Sequence, residues 1–145
     1  MIRVIVSGFF NPLHGGHLDM IEAAANMGDY LIVIVNNDQQ QILKKGKVIL
    51  DERNRIRLIS ALRAVDEVIL AADTDPPVSK TLGEIVIKYP CDKLIFANGG
   101  DRDSVKVTPE ATACDQLGIE MIYGVGGIEK ADSSTRINQA LGHKK

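Results

Sequence analysis

Five short stretches of the 145-residue chain are apolar almost without interruption: IRVIVSG (2–8), YLIVIVNN (30–37), EVILAA (67–72), KLIFANGG (93–100) and EMIYGVGG (120–127). A strand with one wet face alternates apolar and polar residues, whereas near-continuous runs suit parallel strands covered on both sides. Between the runs lie helical patterns: HLDMIEAAANMG, DERNRIRLISALRAV, PPVSKTLGEIVIKY, TPEATACDQLG and, at the end, SSTRINQALG. This alternation predicts right-handed βαβ crossovers in an α/β domain with an open, doubly wound, five-stranded parallel sheet. Ligands then collect at the carboxyl ends of the strands, near the point where strand order reverses.

Punctuation supports these boundaries. Gly28 and Gly118 end helical patterns where a left-handed residue is wanted, Asp75 precedes prolines suited to a helix start, and Ser133 opens the last helix. No repeat or linker divides the chain, so residues 1–145 read as one domain with a frayed tail at 143–145.

Composition narrows the partners. Seventeen Lys and Arg against 19 Asp and Glu, spread along the chain, give a net charge of -2, which excludes a basic nucleic-acid binder as the main expectation. No run approaches the ~20 apolar residues of a membrane span, and MIRVIVSG is no leader peptide, so a cytoplasmic protein without membrane contact is expected. Cys91 and Cys114 lack metal-site or CxxC spacing and read as buried thiols.

The densest chemistry lies directly behind the first run, in SGFFNPLHGGHLDM (7–20), where a chain with three histidines sets two of them three residues apart beside paired glycines. If the first strand ends near Gly8, His14 and His17 flank the start of the next helix. Unpaired N–H groups and the helix dipole favour anions there, Gly15 and Gly16 let backbone approach a ligand, and two imidazoles can donate to phosphate oxygens. A single histidine in such a turn more often caps and packs; two together shift the balance. Zinc is a weaker alternative, because no nearby Cys, His or Asp set completes a tetrahedron. GVGG (124–127) follows the fifth run and lacks the glycine spacing of a dinucleotide fingerprint.

SGFFNPLHGGH resembles the GxFDxxHxGH signature of the cytidylyltransferase-like nucleotidyltransferases, and SSTRI (133–137) resembles their second signature, ISSTxI. GDYLIVIVNND, ERNRIRLISALRAVDEVIL and FANGGDR are similar to the family's intervening segments, in the same order. The resemblance implies a Rossmann-like domain of the HxGH nucleotidyltransferase type. It also implies transfer of CMP or AMP from a nucleoside triphosphate to a phosphorylated small molecule, with release of pyrophosphate. The implied catalytic set is His14, His17, Lys44 and Arg136. The implied nucleotide site draws on Gly8, Phe9, Phe10, Asn11, Gly16, Asn98, Gly99, Gly100, Asp101, Ser133, Ser134 and Thr135, and the acceptor site on Asn37, Arg55, Arg102 and Lys130. ILKKGK (42–47) would be a flap closing on the triphosphate through Lys44 and Lys47, with a solvated lysine loop as the plain alternative. Mg2+ is expected on the substrate phosphates, without a dedicated protein ligand set. A homodimer is compatible with the resemblance.

Three departures bear on substrate. Asn11 replaces the usual Asp of the first signature, Arg102 stands where glycerol-phosphate-using relatives often carry an aromatic residue, and GVGGIEKADSST replaces their Arg-Thr-Glu-Gly-Ile lead-in. Asn11 bears on nucleotide choice, whereas Arg102, with Lys130 in the altered lead-in, predicts that glycerol 3-phosphate is a poor acceptor beside a sugar phosphate or a nucleotide-like phosphate. The rival of another class is a nucleotide-binding module without turnover, against which the histidine pair argues. A tRNA-charging role fails on size and charge.

Overall fold

The computed structural model describes residues 1–10, 13–45, 48, 50–74, 78–97, 109–123 and 125. Five parallel strands, β1 (Ile2–Gly8), β2 (Tyr30–Val35), β3 (Glu67–Leu70), β4 (Lys93–Ala97) and β5 (Glu120–Ile122), lie in the order β3-β2-β1-β4-β5. Helices α1 (Gly15–Ala25), α2 (Asp38–Lys45), α3 (Glu52–Ser60), α4 (Ser79–Lys88) and α5 (Pro109–Leu117) connect them. β1 is central, pairing with β2 from Arg3–Tyr30 to Gly8–Val35 and with β4 from Ile2–Lys93 to Ile5–Phe96. Strand order reverses between β1 and β4, so the ligand crevice expected of such a sheet opens beside the carboxyl end of β1.

The two-residue period of a strand sorts the continuous runs into two cores. Val4 and Val6 of β1 and Leu31, Val33 and Val35 of β2 pack with Ile21 of α1 and Ile59 of α3. Ile5, Ile32 and Ile34 pack with Leu82 and Ile85 of α4 and Cys114 of α5. All are buried. Burying one such aliphatic side chain stabilises by roughly 1.5–3 kcal/mol, so the middle strands anchor the sheet.

The boundaries depart from the expectation where polar groups take over from burial. β2 stops at Val35, because Asn37 leaves the ladder to cap a helix that hydrophobic periodicity does not reveal. That helix, α2, buries Gln40 and Gln41 while Ile42 and Leu43 face solvent. Asn37 Oδ1 accepts from the Gln40 N–H at 2.8 Å, and Gln40 Oε1 accepts from the Asn37 N–H at 2.9 Å, a reciprocal capping box. Gly28 is not the left-handed residue expected: α1 ends on Asn26, and a Cβ at Gly28 would lie 2.8 Å from the Ile2 carbonyl oxygen. Gly118 does take a positive φ of 75°. Asp75 lies outside the described residues, and it is Asp73 that accepts from the Lys80 and Thr81 N–H groups at the start of α4. Both cysteines are free, but only Cys114 is buried; Cys91 is exposed on the turn after α4.

At the amino ends of the strands, the Arg3 guanidinium carbon lies 4.3 Å from the Tyr30 ring centroid and 3.7 Å from that of Tyr89, while Nε bonds Asp92 at 2.7 Å. Beside it, Glu67 accepts hydrogen bonds from the Tyr30 hydroxyl at 2.9 Å, from the Tyr89 hydroxyl and from Lys88 Nζ at 2.6 Å. Burial alone would raise the Glu67 pKa; the bonds from Lys88, Tyr89 and Tyr30 together outweigh it and hold the carboxyl below the ordinary glutamate value. Among the described residues no helix is long and apolar enough to cross a membrane.

Candidate active site

β1 ends at Gly8 and the chain turns at once. Phe10 adopts a φ of 52°, uncommon for a residue bearing a Cβ, and lays its ring over Gly8, where an added Cβ would meet the Phe10 Cζ at 2.9 Å. Glycine at the strand end thus makes room for the Phe10 ring. The Phe10 side chain is buried in the core against α1, with its ring edge-on to His17 at a centroid distance of 4.9 Å and 74° between planes. The ring of Phe10, a residue named for the nucleotide site, faces inward and braces His17.

His14 is the N-cap of α1. Its Nδ1 accepts from the Gly16 N–H at 3.1 Å, and its own N–H donates to His17 Nδ1 at 3.2 Å. The two rings stack, centroids 3.7 Å apart and planes 22° from parallel. A ring nitrogen that accepts an N–H carries no proton, so in each neutral imidazole the proton lies on Nε2. Capping, one of the two alternatives the sequence offers, is met by Nδ1 of His14, which closes the helix terminus. The N–H of Gly16, a residue named for the nucleotide site, is directed at His14.

Arg55, expected on the acceptor phosphate, is fully buried at 0% exposure. Nε donates to the Leu50 carbonyl at 2.9 Å, Nη1 to the carbonyls of Phe9 at 2.7 Å and Asn36 at 2.6 Å, and Nη2 to Asp38 Oδ1 at 2.6 Å. The buried guanidinium is thus held by four protein acceptors. Asn37 is similarly engaged: Nδ2 donates to the carbonyls of Ala71 at 3.0 Å and Asp73 at 2.9 Å while Oδ1 caps α2. Both side chains serve one need, that of the chain's own polar backbone for partners.

The structure thus gathers Gly8, Phe9, Phe10, His14, Gly16, His17, Asn37 and Arg55 around the carboxyl ends of β1 and β2. Lys44 and Lys45 fall in the last turn of α2 rather than in a loop. Asn11, Lys47, Asn98, Gly99, Gly100, Asp101, Arg102, Lys130, Ser133, Ser134, Thr135 and Arg136 lie outside the described residues. Sequence reasoning misses Asn36, Asp38 and Glu52, whose Oε1 accepts from the Asp38 N–H at 2.9 Å. The Asn-x-x-Gln spacing at 37–40 is the signal that would announce α2; no local pattern marks Asp38 as the partner of Arg55. Among the described residues no group of three or more His, Cys, Asp or Glu could hold a metal ion.

The sequence model of the cytidylyltransferase-like family matches residues 5–139. An FAD synthase of Archaeoglobus profundus is 41% identical over 75 residues, which are 52% of this chain and 48% of that protein. Ethanolamine-phosphate cytidylyltransferase of Mus musculus is 35% identical over 98 residues, 68% of this chain and 23% of that protein. The chain spans less than half the length of either curated relative. Among solved structures, a lipopolysaccharide core biosynthesis protein from Thermoplasma volcanium matches with a TM-score of 0.66 at 29% identity, over 91% of this chain and 99% of that one.

Proposed function

This chain belongs to the cytidylyltransferase-like family, and from that premise we propose that it transfers a nucleoside monophosphate from a triphosphate to a phosphorylated small molecule, releasing pyrophosphate. The observation that carries the reading is the His14–His17 pair, stacked at the end of the central strand with each Nδ1 turned to backbone. An acceptor phosphate is already ionised at neutral pH and needs no general base. One of its oxygens attacks the α-phosphorus, the bond to the bridging oxygen breaks, and the electron pair leaves with pyrophosphate. What the protein must do is hold two anions together and stabilise charge growing on phosphoryl oxygens. The Nε2–H groups of His14 and His17 are suited to the α- and β-phosphate oxygens. Ser133, Ser134, Thr135 and Arg136 are assigned to the β- and γ-phosphates, and Lys44 and Lys47 to the triphosphate. A divalent ion such as Mg2+ would supply charge neutralisation along the triphosphate, carried there by the substrate phosphates.

The likeness to FAD synthase supports ATP as donor and FMN as acceptor, because FAD is AMP joined to FMN through a pyrophosphate. FMN is also a nucleotide-like phosphate, the acceptor class expected from Arg102 and Lys130. The likeness to ethanolamine-phosphate cytidylyltransferase, which extends over 68% of this chain, supports the second reading, CMP transfer to a small phosphate monoester. Pyrophosphate release separates them when CTP, ATP, GTP and UTP are crossed with FMN, ethanolamine phosphate, glycerol 3-phosphate and sugar 1-phosphates. Release from ATP with FMN alone supports the first; release from CTP with a monoester supports the second. No release from any pair, with nucleotide still bound, points to a binding module.

A further inference from the structure

Arg55 touches both parts of the site that the chain must bring together. Its Nη1 bonds the Phe9 carbonyl, in the peptide that leads into Phe10; Nη1 and Nη2 bond Asn36 and Asp38, which flank the capped start of α2; and Nε bonds Leu50, beyond the lysine-bearing end of that helix. We propose that Arg55 is a positioning residue for nucleotidyl transfer, setting the histidine turn through Phe9 and the seat of α2 through Asp38 and Leu50.

The route to the histidines runs through Phe10. Its left-handed φ of 52° places the ring over Gly8 and against His17, and a bulky residue holds that conformation only when its surroundings impose it. A charge-assisted bond of 2.7 Å from the buried guanidinium to the preceding carbonyl does so. A planar guanidinium can fix four acceptors in one geometry, which the single nitrogen of lysine on its flexible stem cannot. Desolvating that charge is costly, and a well-packed apolar residue would often be no less stabilising. Arrangement, more than stability, is what the arginine provides here.

The kinetic arm of the test rests on the proposed transferase reading; the spectroscopic arm does not. Arg55→Met, Arg55→Lys and Asp38→Asn are compared with wild type, below the melting temperature of each, by imidazole 15N shifts of His14 and His17 and by kcat and KM. The Arg55 variants are expected to shift both imidazole signatures away from the Nδ1-acceptor form. They should also lower kcat by ~10-fold or more, the scale for displaced catalytic groups, with acceptor KM changing far less. Asp38→Asn should move the same signals in the same direction. Unchanged imidazole signals in folded Arg55→Met overturn the proposal. A raised acceptor KM with unchanged signals and kcat also overturns it, in favour of direct acceptor binding. Should the Arg55 variants fail to fold, unchanged signals in both Asp38→Asn and Phe10→Leu overturn it. Should the wild type lack transferase activity, the imidazole signals decide alone.

Discussion

The backbone N–H of His14 lies 3.2 Å from Nδ1 of His17, and the two rings stack at 3.7 Å. Each histidine is thereby oriented by the other's segment of chain, with the same nitrogen facing inward in both.

Asparagine can reproduce an Nδ1 acceptor but has nothing at the Nε2 position. His14→Asn and His17→Asn should therefore keep the fold and most triphosphate affinity while lowering kcat by ~10²-fold or more, the usual scale for losing a donor to transition-state charge. His14→Ala should additionally lose about 1 kcal/mol as its cap disappears. Calorimetry beside steady-state kinetics checks both; full turnover in the Asn variants would remove Nε2 from the chemistry.

Ser134→Ala and Arg136→Ala should weaken triphosphate binding more than monophosphate binding, since their assigned partners are the β- and γ-phosphates. Titration calorimetry across mono-, di- and triphosphate gives the comparison. A uniform loss would refute the assignment.

Three glycines should respond to alanine in different ways. Gly83, inside α4, has nothing within 4 Å of an added Cβ, so Gly83→Ala should stabilise by roughly 0.5–1 kcal/mol. Gly28→Ala would set its Cβ 2.8 Å from the Ile2 carbonyl oxygen and should destabilise by about 1–3 kcal/mol. Gly8→Ala strikes the Phe10 ring at 2.9 Å and should reduce turnover as well, because that ring braces His17. Denaturant melts rank the three, and activity separates Gly8 from Gly28.

Glu67 gives the fold an acid limb. Its carboxyl titrates below the usual glutamate value of 4.5 in the folded chain, so its contribution is present above that unfolded value and fades as pH falls through the lower folded one. Melting temperature should drop on acidification below about pH 4.5, and Glu67→Gln should be less stable at neutral pH with a shallower drop. Parallel acid limbs in the two proteins would show that Glu67 is not the titrating group.

The sheet is legible in the sequence because Val4, Ile5 and Val6 meet two cores in alternation, and only an uninterrupted apolar run can do that. The histidine turn is legible because histidine and glycine are each uncommon enough there to carry chemical meaning. α2 is hidden because Gln40 and Gln41 occupy its buried face, and a hydrophobic period cannot register a helix whose start is fixed by hydrogen bonds. The enclosure of Arg55 is hidden for a related reason. A charged side chain ordinarily points to water or ligand, and the carbonyls of Phe9, Asn36 and Leu50 that enclose it are contributed by the backbone, whose position no residue type announces.

The central place of β1 also orders events in time. Strand β1 meets β2 across one helix but meets β4 across most of the chain, and contacts between distant residues close later because more chain must be ordered first. Every bond described for the histidine turn, the Arg55 enclosure and the capping of α2 lies between Gly8 and Asp73. This half can therefore take shape on a growing polypeptide before β4 has been synthesised. In pulse-labelled exchange during refolding, the amides of β2 should gain protection ahead of those of β4.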